Sequence, residues 1–165
     1  KFPAIEVGRL VDRGIRESKM IDFKKLCVKK GEKVWIVFID IYIINDAGNL
    51  IDASALAAVA ALRETRFPKY DEKEDKVLYG EQTKEKLPIS KTPITVTLIK
   101  IKDKILIDPS SKEEEVLDSR LTIAVADKNI HALQKGGDKS IKLEEVEKMI
   151  DIAFDKSKEL RELLK

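Results

Sequence analysis

Glu6-Val7-Gly8-Arg9-Leu10-Val11-Asp12-Arg13-Gly14-Ile15-Arg16-Glu17-Ser18 is the stretch on which the reading of this chain turns. Apolar residues recur in it at helical spacing, and three arginines recur at i, i+4 and i+7 on the other side. At about 100° per residue, Arg13 lies about 40° to one side of Arg9 and Arg16 about 20° to the other, while Ala4, Val7, Leu10, Val11, Gly14 and Ile15 point away. A helix running to about Lys19 follows, with Pro3 in its first turn, where the missing N–H is no loss. The arginine row fits two readings. Guanidinium groups suit phosphate, yet Glu6, Asp12 and Glu17 stand three or four residues from the arginines and can pair with them, each pair contributing only about 0.2–0.5 kcal/mol.

Outward from this helix, Gly31 marks a turn into Val34-Trp35-Ile36-Val37-Phe38-Ile39-Asp40-Ile41-Tyr42-Ile43-Ile44. That run is apolar on both alternating faces and predicts a central strand covered on both sides. Its one charge, Asp40, reads as a buried carboxylate accepting hydrogen bonds or as a catalytic group. Asn45-Asp46-Ala47-Gly48-Asn49 is a turn cluster, after which Asp52 or Ser54 caps a helix rich in alanine that reaches about Arg66 and is ended by Pro68. Residues 69–92, densely charged, form a surface loop or hairpin. Strands are expected at 95–101 and 104–107 about a turn at Lys102-Asp103, then at 121–126 and 130–135 about Asp127-Lys128-Asn129, with a helical turn at 112–117 before them. Leu143, Val146, Met149, Ile150, Ala153, Phe154, Leu160 and Leu164 give the closing segment the pattern of a long amphipathic helix lying on a sheet. Helix, strand, helix, strands, helix is the order of an α+β domain.

The chain has 165 residues, 43% of them hydrophobic and 38% charged, which suits a folded domain with a real core. A formal net charge of +2, from 32 basic and 30 acidic residues, makes any nucleic-acid site a local patch. One cysteine, Cys27, and one histidine, His131, supply neither a disulfide nor the spacing of a zinc site or a nucleophile pair. The first reads as a small buried residue and the second as a strand residue with a satisfied ring. No metal site is expected. The apolar run 34–44 is too short to span a bilayer, so a cytoplasmic protein without a membrane partner is the expectation.

Read together, the 6–18 stretch, the Trp35-to-Tyr42 run and Gly48-Asn49-Leu50-Ile51-Asp52-Ala53-Ser54-Ala55-Leu56-Ala57-Ala58 resemble the RNase PH-like proteins, most of all the non-catalytic ring subunit of the archaeal exosome. The likeness continues through Leu87-Pro88-Ile89, Ile107-Asp108-Pro109, Glu113-Glu114-Glu115 and Gln134-Lys135-Gly136-Gly137 to the last helix. It implies a partial RNase PH-like fold over 1–165, of the ribosomal protein S5 domain 2-like kind, with a mixed sheet packed against helices and the N-terminal part of the family domain missing. It also implies a hexameric ring of three heterodimers with a catalytic RNase PH-like exosome subunit, RNA-binding cap subunits, single-stranded RNA as ligand and no cofactor. Arg9, Arg13 and Arg16 match, one by one, the positions from which the non-catalytic subunit contributes RNA-binding arginines.

The same resemblance speaks against catalysis by this chain. Catalytic relatives begin the helix rich in alanine with Gly-Ser-Arg or Gly-Thr-Arg, whose N–H groups and arginine bind inorganic phosphate; here the start is Asp52-Ala53-Ser54-Ala55, and a carboxylate repels phosphate. Where those relatives carry an acidic group to protonate the leaving group, Ser119-Arg120-Leu121-Thr122 puts Arg120, with Asp118 the nearest substitute acid. The expectation is an RNA-binding subunit with no catalytic residue that positions RNA for 3′ to 5′ phosphorolysis by its partner. The alternatives are an active phosphorolytic exoribonuclease using Asp118, and a purely architectural ring subunit whose arginines bind a neighbouring protein.

Overall fold

The computed structural model describes residues 4–164, so the expectation for Pro3 lies outside the described residues. The first helix, α1 (Ala4–Glu17), buries Val7, Leu10, Val11, Gly14 and Ile15 on one stripe, as the periodicity demands, while Ala4 at its start is exposed. After a single 3-10 turn come two short strands, β1 (Cys27–Lys29) and β2 (Lys33–Val34), paired antiparallel. Cys27 is exposed there, not buried, because a short two-stranded hairpin provides no enclosing layer.

Residues 35–44 do not form the doubly covered strand that their sequence requires. The Trp35 N–H donates to Leu26 O at 2.8 Å, and Trp35 and Val37 rest half-buried on the core beneath α1. Beyond them no described strand pairs with the run, and Phe38, Tyr42 and Ile44 are 82%, 87% and 98% exposed. Asp40 is exposed with them, which corrects its reading as a buried, hydrogen-bonded carboxylate.

The second helix, α2 (Leu50–Glu64), starts from Asn49 in the left-handed conformation and not from a side-chain cap by Asp52 or Ser54. Asp52 falls inside its first turn, and Ser54 is buried. Thr65 ends the helix in an extended conformation, and Pro68 sits at a register irregularity of the next strand, where no ladder N–H is required of it. That strand, β3 (Arg66–Asp71), pairs antiparallel with β4 (Lys76–Lys86) in a largely solvent-facing hairpin.

A four-stranded sheet in the order β6-β5-β7-β8 carries the second half of the chain. Its members are β5 (Ile94–Ile101), β6 (Lys104–Ile107), β7 (Ser119–Ala126) and β8 (Asn129–Gly136), with the short helix α3 (Ser111–Glu115) between β6 and β7. Every pairing among the described strands is antiparallel, a narrower pattern than the mixed sheet the resemblance implies. Alternation divides the sheet into two faces. Ile94, Val96, Leu98, Leu121, Ile123 and Val125 pack on Met149 and Ala153 of the last helix, α4 (Leu143–Glu162). On the opposite face Thr95 and Ala124 lie against Gly14 of α1, and Thr97 meets Asp52 of α2. The result is the expected α+β arrangement of helices on both faces of a sheet.

Candidate nucleic-acid interface

The three arginines leave α1 on its solvent side, and each meets a different environment. Arg9 is exposed and has no ion pair or hydrogen bond among the described residues. Arg16 is exposed and paired, its Nη2 3.1 Å from Asp12 Oδ2 and its Nε 3.8 Å from Glu17 Oε1. Arg13 is half-buried, and its Nη1 donates to Gln134 Oε1 of β8 at 3.0 Å. Glu6, a candidate partner for the row, turns instead to Arg120.

Two features fix the helix that bears them. A Cβ on Gly14 would stand 3.3 Å from Thr95 Oγ1 and 3.4 Å from the Ala124 Cβ, so the backbone of α1 lies directly on the sheet. Arg120, in the middle of the sheet on β7 and 1% exposed, donates from Nη2 to Glu6 Oε1. Room for this guanidinium exists because residue 136 is glycine: a Cβ there would come within 2.7 Å of Arg120 Nη2. Breaking such a buried pair leaves an uncompensated charge. Arg120 therefore ties α1 to β7 and takes no position from which to act on a ligand.

The start of α2 is flanked by the protein's own carboxylates. The Asn49 N–H donates to Glu114 Oε1 at 3.0 Å, and its side-chain amide donates to Asp108 Oδ1 at 2.9 Å. Gly48, at φ +115°, passes so close to the 109–111 backbone that a Cβ would meet Pro109 O at 2.3 Å. The Asp52 carboxylate accepts from Thr97 N at 2.8 Å and from Thr97 Oγ1 at 2.7 Å. Burial pushes its pKa up to about 6, against the hydrogen bonds from Thr97. The backbone and side-chain N–H donors of Asn49 are thus engaged by carboxylates, and Asp52, Asp108 and Glu114 add negative charge at the helix start, which disfavours phosphate there.

Asp118 precedes β7 and is held ionised. Hydrogen bonding from the Lys139 ammonium, 2.7 Å from Oδ1, and from the Lys102 N–H, 2.7 Å from Oδ2, keeps its carboxyl below the usual range. A general acid at neutral pH needs the opposite shift. His131 lies half-buried on β8, and its Nε2 has no partner among the described residues, against the expectation of a satisfied ring. Among the described residues no group of three or more His, Cys, Asp or Glu is arranged to hold a metal ion. None of their helices is long and apolar enough to cross a membrane.

Sequence reading missed two residues of this surface, Gln134 as the acceptor of Arg13 and Glu6 as the partner of Arg120. They are separated from those partners by 121 and 114 residues. No local spacing signals a contact of that range.

Both halves of the chain, the part bearing the arginine helix and the part forming the four-stranded sheet, match one family. Residues 3–68 match domain 1 of the 3′ exoribonuclease family and residues 91–156 match its domain 2. The chain belongs to this RNase PH-like family. It is 48% identical over 160 residues to the exosome complex component Rrp42 of Thermoplasma acidophilum, a match covering 96% of this chain and 58% of that protein. It is 41% identical over 162 residues to the protein of the same name from Methanothermobacter thermautotrophicus, covering 98% of this chain and 60% of the relative. Among solved structures, the Archaeoglobus fulgidus exosome with RNA bound to the active site includes a chain that is 42% identical and superposes with a TM-score of 0.87, over 100% of this chain and 63% of that one. The chain thus spans about three-fifths of the length of the curated relatives it matches.

Proposed function

We propose that this chain is an RNA-binding, non-catalytic structural subunit of an archaeal exosome ring, which positions single-stranded RNA for 3′ to 5′ phosphorolysis by a catalytic RNase PH-like partner. The observation that carries the reading is a contrast within the chain: α1 turns three arginines, two exposed and one half-buried, away from the core, while the start of α2 is flanked by the carboxylates of Asp52, Glu114 and Asp108. Likeness to relatives named as exosome components, and to an exosome chain solved with RNA, supports the assignment to that assembly. In this reading Arg9, Arg13 and Arg16 neutralise consecutive phosphates and hold the strand in register without reading bases. The partners are the catalytic subunit, in a ring of three heterodimers, and RNA-binding cap subunits, all in the cytoplasm. Arg120 and Asp118 serve the fold: one is locked to Glu6 and the other is kept ionised by Lys139.

The test is the triple variant Arg9→Ala, Arg13→Ala, Arg16→Ala in the full-length chain assembled with its catalytic partner. Three phosphate contacts at about 0.7 each lower the salt slope of single-strand binding by about 2, with a matching fall in affinity. A variant ring that assembles normally and keeps both affinity and slope would refute the site. The pairs of Arg16 with Asp12 and Glu17 lie within its own helix and are more than half exposed, the pattern of a solvated, salt-bridged surface at that one residue. Failure of assembly, with RNA affinity per assembled ring unchanged, would instead make the whole row architectural.

A further inference from the structure

Arg13 differs from Arg9 and Arg16 in what holds it. Its partner is an uncharged amide on a strand, 3.0 Å away, whereas Arg16 faces two carboxylates of its own helix and Arg9 is held by none among the described residues. Gln134 is half-buried on the edge strand β8 and sits opposite Thr122 in the β7–β8 ladder, so the acceptor is mounted on a strand paired along its length to the fully buried β7. The helix side of the contact is equally fixed, by Gly14 against Thr95 and by Glu6 against Arg120. Both ends of the Arg13–Gln134 hydrogen bond therefore belong to rigid elements.

A neutral acceptor has a particular consequence. It restricts the arginine to one geometry while leaving its positive charge uncompensated, and four of the five guanidinium N–H donors remain for a ligand. A carboxylate in the same place would fix the geometry and cancel the charge. We propose that Gln134 is a positioning residue, which holds the Arg13 guanidinium ready as the fixed phosphate anchor of the α1 surface, with Arg9 and Arg16 as adjustable neighbours. This rests on the RNA-binding reading above. The binding gain comes from ordering the side chain before the RNA arrives, since immobilising a long side chain on binding weakens affinity by about 2- to 10-fold.

The experiment uses the full-length chain assembled with its catalytic partner, a labelled single-stranded oligoadenylate as probe, and binding measured across a salt series, with melting temperature and particle size recorded for each variant. Arg13→Ala is the reference and lowers both affinity and salt slope, the slope by about 0.7. Gln134→Met, which keeps length and removes the acceptor, weakens binding by about 2- to 10-fold with the slope retained. Gln134→Glu lowers the slope by about 0.7, as Arg13→Ala does, without loss of assembly. The double variant Arg13→Ala, Gln134→Met binds like Arg13→Ala alone, because Gln134 acts only through Arg13. If Arg13→Ala weakens binding but Gln134→Met does not, or if Gln134→Met weakens the Arg13→Ala background as much as wild type, the positioning role is wrong while RNA binding by α1 stands. Should Gln134→Met fail to assemble, Gln134→Glu decides, an unchanged slope overturning the proposal. An Arg13→Ala ring with unaltered affinity and slope overturns the RNA-binding reading of this residue and the proposal with it.

Discussion

The β7 strand and residues 34–44 are both apolar stretches of strand-like sequence, and they end in opposite surroundings. All eight residues of β7 are buried, between β5 and β8 in the plane of the sheet and between α4 and the α1–α2 layer across it. The 34–44 run is tied to the β1 hairpin only at its start, by the pairing of Val34 with Cys27 and the bond from Trp35 N–H to Leu26 O, and then leaves Phe38, Tyr42 and Ile44 to solvent. Apolar residues on both faces of a strand express a need for cover, and neighbours decide whether it is met. Among the described residues the cover ends with Trp35 and Val37, which rest half-buried on the core beneath α1. Ile123→Ala, in the β7 layer against α4, is expected to destabilise by about 3–4 kcal/mol in a urea melt. In the same 165-residue chain Phe38→Ala costs less than about 0.5 kcal/mol, because its side chain is already in water. The isolated chain is also expected to bind ANS through that exposed run. A cooperative, monomeric, ANS-silent transition would break the contrast.

The polar contacts between α2 and the sheet sharpen it. Asp52, on the enclosed side of the molecule, gives its carboxylate to Thr97, whose Oγ1 lies 3.2 Å from Thr122 Oγ1 of β7. Because burial raises its pKa from 3.8 to about 6, the folded chain holds this proton more tightly than the unfolded chain does. The resulting stability is fully present below pH 3.8, declines as pH rises between 3.8 and about 6, and is gone above that. The decline is on the order of 2 kcal/mol, allowing for partial exposure of the residue. Asp52→Asn removes it, so the difference in urea stability between variant and wild type grows in favour of the variant from about pH 4 to about pH 7. Parallel pH profiles would mean that Asp52 is solvated like an exposed carboxylate.

The enclosed half of the molecule was legible because its signals are local. Period-two alternation in 94–101 and 119–126, turns at Lys102-Asp103 and Asp127-Lys128, and the spaced apolar residues of α4 each specify an element without distant help. The continuous apolar pattern of 34–44 predicts two covered faces, and the described residues leave most of that run in solvent, because strand-like sequence carries no information about its neighbours. The α2 start was misjudged for a related reason. Asp52 has the chemistry of a cap, but Thr97, 45 residues later, offers its carboxylate two hydrogen bonds, and Asn49 takes the left-handed position instead. On α1 the spacing of the arginines is plain from sequence, while their partners divide: Asp12 and Glu17 are local and were foreseeable for Arg16, and Gln134 is not local and was invisible.

The smallest effect is expected where β7 begins. Asp118 is the one carboxylate near this strand that an active enzyme would have to use, and two donors hold it in its charged form. Removing a working general acid lowers a rate by about 10²–10⁴, whereas removing a half-buried carboxylate that holds only Lys139 and the Lys102 N–H touches the local fold and not a rate. Asp118→Asn in the assembled ring is therefore expected to leave phosphate-dependent release of nucleoside diphosphates within about twofold of wild type, with the shape of the pH–rate profile kept. A loss of a hundredfold together with a displaced acidic limb would make Asp118 the proton donor and this chain an enzyme. An unchanged rate leaves the carboxylate with the role its contacts describe, holding the Lys102 turn and Lys139 against the end of the one strand that is closed on every side.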